Sequence, residues 1–135
     1  MQNYLLVFGG RDFLDKTFMK TKLLEFMEEH DLTKDNTVVI EGGASGADTL
    51  ANELAKELEI PFDTMKADWN DMSEPCTVKY NRYGAYNALA GFKRNSQMVE
   101  LATHALGFWD TKSPGTKDSI KKINSKGIPL VVVEY

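Results

Sequence analysis

The sequence predicts an α/β fold: a single Rossmann-like domain whose parallel sheet of about five strands carries helices on both faces. Three observations lead there. Short apolar or β-branched runs, YLLVF at 4–8 and TVVIE at 37–41, stop at the glycine pairs Gly9-Gly10 and Gly42-Gly43. Each is followed by a segment whose apolar residues recur every three or four positions. This alternation persists to the end of the chain, as right-handed β-α-β crossovers require.

In order, residues 4–8 read as a strand buried on both faces, since no polar residue interrupts the run. Leu14, Phe18, Met19, Leu23, Phe26 and Met27 then form the stripe of an amphipathic helix over 15–30. Residues 37–41 form the second strand. Ala47, Leu50, Ala51, Leu54, Ala55 and Leu58 line one face of a second helix, which Pro61 stops. A weaker strand is expected over 61–66.

Residues 67–90 show no sustained period and read as a long loop or lid with one helical turn, and loops of that length are often functional. A helix over 91–103 turns Met98, Leu101 and Ala102 inward. Residues 104–109 give a fourth strand. Ser113 and Pro114 then start a helix as N-cap and first-turn residue, and Gly127 with Pro129 ends it. Residues 130–133 form a final buried strand. No internal repeat and no second domain are visible.

At 135 residues with a net charge of −4, the chain offers no global attraction for a polyanion, so extended nucleic acid is not the expected partner. A lone cysteine, Cys76, excludes an intrachain disulfide. The N-terminal apolar run is too short for a signal peptide, and no stretch approaches the ~20 apolar residues that span a bilayer. A cytoplasmic protein without membrane contact is expected.

In open parallel sheets ligands sit beyond the carboxyl ends of the strands, where strand order reverses. Three loops at such ends are unusual: Gly9-Gly10-Arg11-Asp12, residues 41–48 (Glu41, Gly42, Gly43, Ala44, Ser45, Gly46, Ala47, Asp48), and residues 110–118 from Asp110 to Asp118. Glycine lets backbone approach a phosphate, and the free amides of a helix's first turn add donors and partial positive charge. Ser45, Ser113 and Thr116 add hydroxyls, and Arg11 can pair with an anion bidentately. The second loop is neither GxGxxG nor GxxxxGK[ST], which speaks against a dinucleotide dehydrogenase or a P-loop nucleotidase. No cofactor or metal is expected.

Among the carboxylates, Asp12, Asp48 and Asp118 serve equally well as helix caps or ligand contacts, whereas Asp68 and Asp110 have less obvious structural roles. Trp69 and Trp109 can stack on a base or pack in the core. His30 and His104 read as structural. Five lysines between 112 and 126 concentrate charge, but helical spacing spreads them over a solvated face.

The ordered set GGRDF, EGGASGADTLA, ADW, AGFKRNSQM and SPGTKD resembles the YspA-type branch of the SLOG superfamily, which also contains the Lonely-guy phosphoribohydrolases and the DprA DNA-processing proteins. The resemblance implies glycine loops that bind a nucleotide or nucleotide-derived small molecule, such as ADP-ribose or a mononucleotide, for sensing, sequestering or processing, including in phage–host conflict. Carried over by motif, the pocket candidates are Gly9, Arg11 and Asp12; Gly42, Gly43, Ser45, Gly46 and Asp48; Arg94 and Asn95; and Gly115 and Thr116. Arg94 is similar to the active-site arginine of the Lonely-guy enzymes. Their PGGxGTxxE glutamate, however, falls here on Ser119, one residue after Asp118. Hydrolysis of a base–ribose or phosphoribosyl bond by Arg94 and Asp118 is therefore the alternative to binding alone. The resemblance also implies a homodimer or homotetramer.

Overall fold

Side chains alternate along β1 (Asn3–Gly9) so that Leu5 and Val7 enter one apolar layer while Leu6 and Phe8 enter another. A strand whose two faces are both apolar needs a helix layer on each side. The computed structural model, which describes residues 2–135, supplies both. Helices α1 (Lys16–Glu29) and α2 (Ala47–Glu57) cover the first face through Met19, Leu23, Leu50 and Leu54. β2 (Thr37–Glu41) and β3 (Phe62–Thr64) lie beside β1 on one side.

After β3 comes an antiparallel hairpin of β4 (Val78–Asn81) and β5 (Gly84–Asn87), separate from the main sheet. Helix α3 (Ala90–Leu101) then leads to β6 (His104–Trp109), and α4 (Pro114–Lys126) to β7 (Leu130–Glu134). Met98, Val99, Ala102 and Ile123 fill the second layer. The sheet order is β3-β2-β1-β6-β7 and every pairing in it is parallel. Chain direction across the sheet reverses between β1 and β6.

Several local expectations change. Leu14 precedes α1 and is exposed; Asp15 is the cap, accepting a hydrogen bond from Phe18 N at 3.0 Å. Leu101 is also exposed, and Val99 takes the inward place assigned to it. β7 is a sheet edge, so its side chains are only partly covered. Ser113 holds the N-cap position of α4 without a side-chain cap bond, whereas Gly127 caps the other end at φ 80°, as its sequence position implies.

Residues 67–90 depart furthest from expectation, because the loop contains a two-stranded hairpin. Its base is fastened by Asn87, which is fully buried. The Asn87 amide oxygen accepts from Thr77 N and Leu89 N at 3.1 and 2.9 Å, and its nitrogen donates to the carbonyls of Asp71 and Pro75 at 3.0 and 3.2 Å. One side chain thus satisfies four backbone groups that would otherwise lack partners.

The lysines near the C-terminal end are partly committed to structure. Lys126 donates to the carbonyls of Val99, Glu100 and Ala102 at 2.9, 2.6 and 2.7 Å, neutralising the negative end of α3. Lys122 pairs with Asp118 at 2.7 Å. No helix among the described residues is long and apolar enough to cross a membrane.

Candidate functional site

At the reversal between β1 and β6 lies a cavity of about 420 Å³. Its walls come from the loop after β1 (Gly9, Gly10, Arg11, Asp12), the start of α2 (Ala44, Asp48), α3 (Arg94, Asn95) and the turn into α4 (Asp110, Ser113, Gly115, Thr116). Phe8, Met98, Pro114 and Ser119 complete it. Twelve of the sequence candidates therefore share one cavity wall, brought there because parallel strands deliver all their following loops to the same edge.

The loop after β1 is held by backbone. Gly10 N donates to Phe108 O at 3.1 Å, and Gly10 O accepts from Ala47 N at 3.1 Å, so this loop and the start of α2 are joined directly. Gly46, at φ 77° and ψ −125°, makes that approach feasible: a β-carbon there would strike the carbonyls of Gly10 and Arg11. On the other side, Asp12 accepts from the Tyr135 hydroxyl at 2.7 Å. Burial, with Asp12 adding, raises the Tyr135 pKa, so the phenol stays protonated as the donor.

Arg94 reaches from α3 to the second glycine loop. Its Nη1 donates to Gly42 O at 2.6 Å and its Nε to Asn95 Oδ1 at 3.0 Å. Burial lowers the Arg94 pKa, opposed by Asp48, while neighbouring Arg11 adds to the lowering. The guanidinium nevertheless stays charged at neutral pH. A half-buried cation with the remaining N–H groups of its fork toward a cavity suits an anion.

Asp48 is almost fully buried, and its Oδ2 accepts from Gly42 N at 3.2 Å and Ala44 N at 3.3 Å. Burial is the main cause lifting its pKa from 3.8 to about 6; the Ala44 amide and Arg94 oppose it and Glu41 reinforces it. The group thus binds its proton more tightly folded than unfolded. Its contribution to stability is greatest below about pH 4 and is lost as pH rises to about 6. An Asp48→Asn variant, which keeps the acceptor oxygen, is expected to match the native chain near pH 4 and to exceed it at pH 7.5 by about 1–3 kcal/mol. Urea unfolding at several pH values measures this, and an equal gap at both ends would contradict it.

The turn into α4 offers donors. Asp110 accepts from Lys112 N and Ser113 N at 2.8 and 2.7 Å, and the Ser113 amide, then that of Lys112, holds its pKa low, so this carboxylate is anionic at the cavity mouth. The first-turn amides of Gly115 and Thr116 have no intrahelical acceptor. A β-carbon on Gly115 would meet nothing within 4 Å, which leaves the approach to those amides open.

Other candidates stand elsewhere. Gly42 packs against Arg94, and Gly43 N donates to the buried Glu41 carboxylate at 2.7 Å, so these residues support the wall from behind. Glu41 also accepts from the Thr64 hydroxyl. Ser45 does not line the cavity. Asp68 accepts from Asn70 N at 3.1 Å, and Trp69 lies beside Tyr86, away from the cavity. Asp118 turns to Lys122, while Ser119, one residue on and therefore rotated by about 100°, is in the wall. Of the residues that sequence reasoning missed, Phe8 and Met98 carry no polar signal; Ser119 carried one, as the position aligned with the glutamate motif. Among the described residues no group of three or more His, Cys, Asp or Glu side chains is placed to hold a metal.

Comparison with solved structures places the fold. The chain is similar to DNA processing protein A from Helicobacter pylori, a protein described for its single-stranded DNA binding mode, with a TM-score of 0.65 and 16% identity over 96% of this chain and 64% of that one. It is also similar to DNA processing protein A from Streptococcus pneumoniae, with a TM-score of 0.55 and 15% identity over 98% of this chain and 59% of that one. The chain thus spans less than two thirds of either protein. This likeness corrects the expectation against extended nucleic acid, since the fold also occurs in a protein that binds a single strand and net charge alone does not exclude such a partner. No curated protein matches the chain. A family profile does match, over residues 4–71, half of the sequence and the part that contributes the loops after β1 and β2. The chain belongs to the YspA, cpYpsA-related SLOG family.

Proposed function

We propose that the cavity between β1 and β6 binds a nucleotide or nucleotide-derived ligand, with a phosphate against the first turn of α4 and the guanidinium groups of Arg94 and Arg11. The observation that carries this reading is the convergence of that helix start with Arg94 and Arg11 on one cavity. Its volume of about 420 Å³ lies in the range of small-molecule sites. The hydroxyls of Ser113 and Thr116 add phosphate donors, and Asp12 and Asp110 supply acceptors for ribose hydroxyls or base amino groups. In this role the protein is a sensor or sequestering protein.

A second reading, cleavage of an N-glycosidic or phosphoribosyl bond, draws on Asp48 rather than Asp118. A carboxyl group with a pKa of about 6 in the wall is suited to proton transfer near neutral pH. The likeness to DNA processing protein A adds a single strand to the ligands worth testing.

The experiment incubates the full chain with mononucleotides, NAD, ADP-ribose, cyclic nucleotides and a short oligonucleotide, following melting temperature and ligand integrity together. Stabilisation with intact ligand is the expected result. Released base or ribose phosphate would favour cleavage, and no shift with any ligand would sink the site.

A further inference from the structure

A second recess, of about 430 Å³, lies on the hairpin and shares no lining residue with the first cavity. Its walls are Trp69, Tyr83, Ala85 and Tyr86, with Asn70 and Asn81. The Trp69 and Tyr86 rings meet edge to face, 6.3 Å apart at 70°. Tyr83 is 82% exposed, and the Arg82 guanidinium lies 4.9 Å from its ring centre. The pairing of Lys79 with Tyr86 brings a second cation to the same face of the hairpin.

Nothing in the core explains this composition, because all of β4 is exposed and Asn87 alone anchors the arm's base in the protein interior. Residues 78–87 contain Lys79 and Arg82 and no acidic residue, although the whole chain carries −4. Of the carboxylates flanking Trp69 and Asn70, Asp71 is paired with Lys93 at 3.0 Å and Asp68 accepts from Asn70 N at 3.1 Å. Among the described residues, the Asn70 side chain and the Asn81 amide nitrogen make no hydrogen bond.

A symmetric contact with a second copy would face this cationic surface with the same surface, which like-charge repulsion disfavours. Aromatic faces, two cations and free amides together suit an unpaired base flanked by phosphates. We infer that the β4–β5 arm is a binding site for single-stranded nucleic acid, which inserts a base into the Trp69–Tyr83–Tyr86 recess while Lys79 and Arg82 pair with adjacent phosphates. The recess is independent of the nucleotide cavity.

The test is fluorescence anisotropy of a labelled oligothymidylate titrated with the full chain, in rising salt and against unlabelled thymidine monophosphate. Saturable binding is expected, weakening with salt, with roughly tenfold loss in Tyr83→Ala. Tyr80→Ala, which removes an exposed aromatic of the same arm that does not line the recess, retains it. Absence of binding, or binding indifferent to Tyr83→Ala, overturns the inference. Displacement by equimolar thymidine monophosphate would assign the recess to free nucleotides instead. A dimer of the native chain that Tyr83→Ala converts to monomer would assign it to a second copy.

Discussion

Gly46→Ala is expected to lose about 4 kcal/mol of stability and to melt roughly 15 °C lower, with ligand response lost in parallel. The backbone there adopts φ 77° and ψ −125°, a region that a β-carbon makes costly by about 1–3 kcal/mol. A similar amount comes from contact with the carbonyls of Gly10 and Arg11, which are main-chain atoms and cannot rotate away. Relief requires the loop after β1 to separate from α2, breaking the Ala47 N to Gly10 O bond and opening the cavity wall. Differential scanning calorimetry reads the first effect and the nucleotide panel the second. A variant that melts within 3 °C of the native chain would show that the glycine is dispensable.

Arg94→Ala is expected to weaken whichever nucleotide stabilises the native chain by about 10- to 100-fold, the worth of a charge-assisted hydrogen bond to phosphate. Arg94→Lys should recover only part, because an ammonium cannot bond Gly42 O, Asn95 and a ligand in the plane of one fork. Truncation also removes the cation that opposes protonation of Asp48, so the Asp48 pKa should rise above its present value of about 6. Calorimetric titration of the native chain and both variants measures the affinity, and NMR titration of the Asp48 carboxyl the second effect. Unchanged affinity in Arg94→Ala would move the anion site away from α3.

Legibility in the sequence followed where periodicity was strong. TVVIE and the Ala47–Leu58 stripe appear as β2 and α2 because a short β-branched run closed by glycines and an apolar stripe at helical spacing are both written in residue order. Loops at strand ends were legible for the same reason, since the parallel sheet gathers them at one edge. The hairpin was not legible, because each of its strands is only four residues long, and the alternation of Val78 and Tyr80 with Lys79 and Asn81 is too short to stand out from a loop. Its one signal was local: Asn81 and Gly84 stand at the first and fourth positions of a turn, with Asn81 accepting from Tyr83 N at 2.8 Å. The direction of Asp118 was legible by contrast, because its place one residue before the glutamate position rotates it by about 100° from the wall, where Ser119 stands; its ion pair with Lys122 holds it there.

The anchoring of the hairpin through Asn87 bears on which substitutions this chain tolerates. Residues 78–86 project from a frame whose hydrogen bonds are closed at the base, and β4 contributes nothing to either apolar layer. Mutations along the arm are therefore screened from the selection that maintains folding. Its aromatic and charged positions can be rewritten while the cavity at the sheet edge, built from other elements, stays as it is.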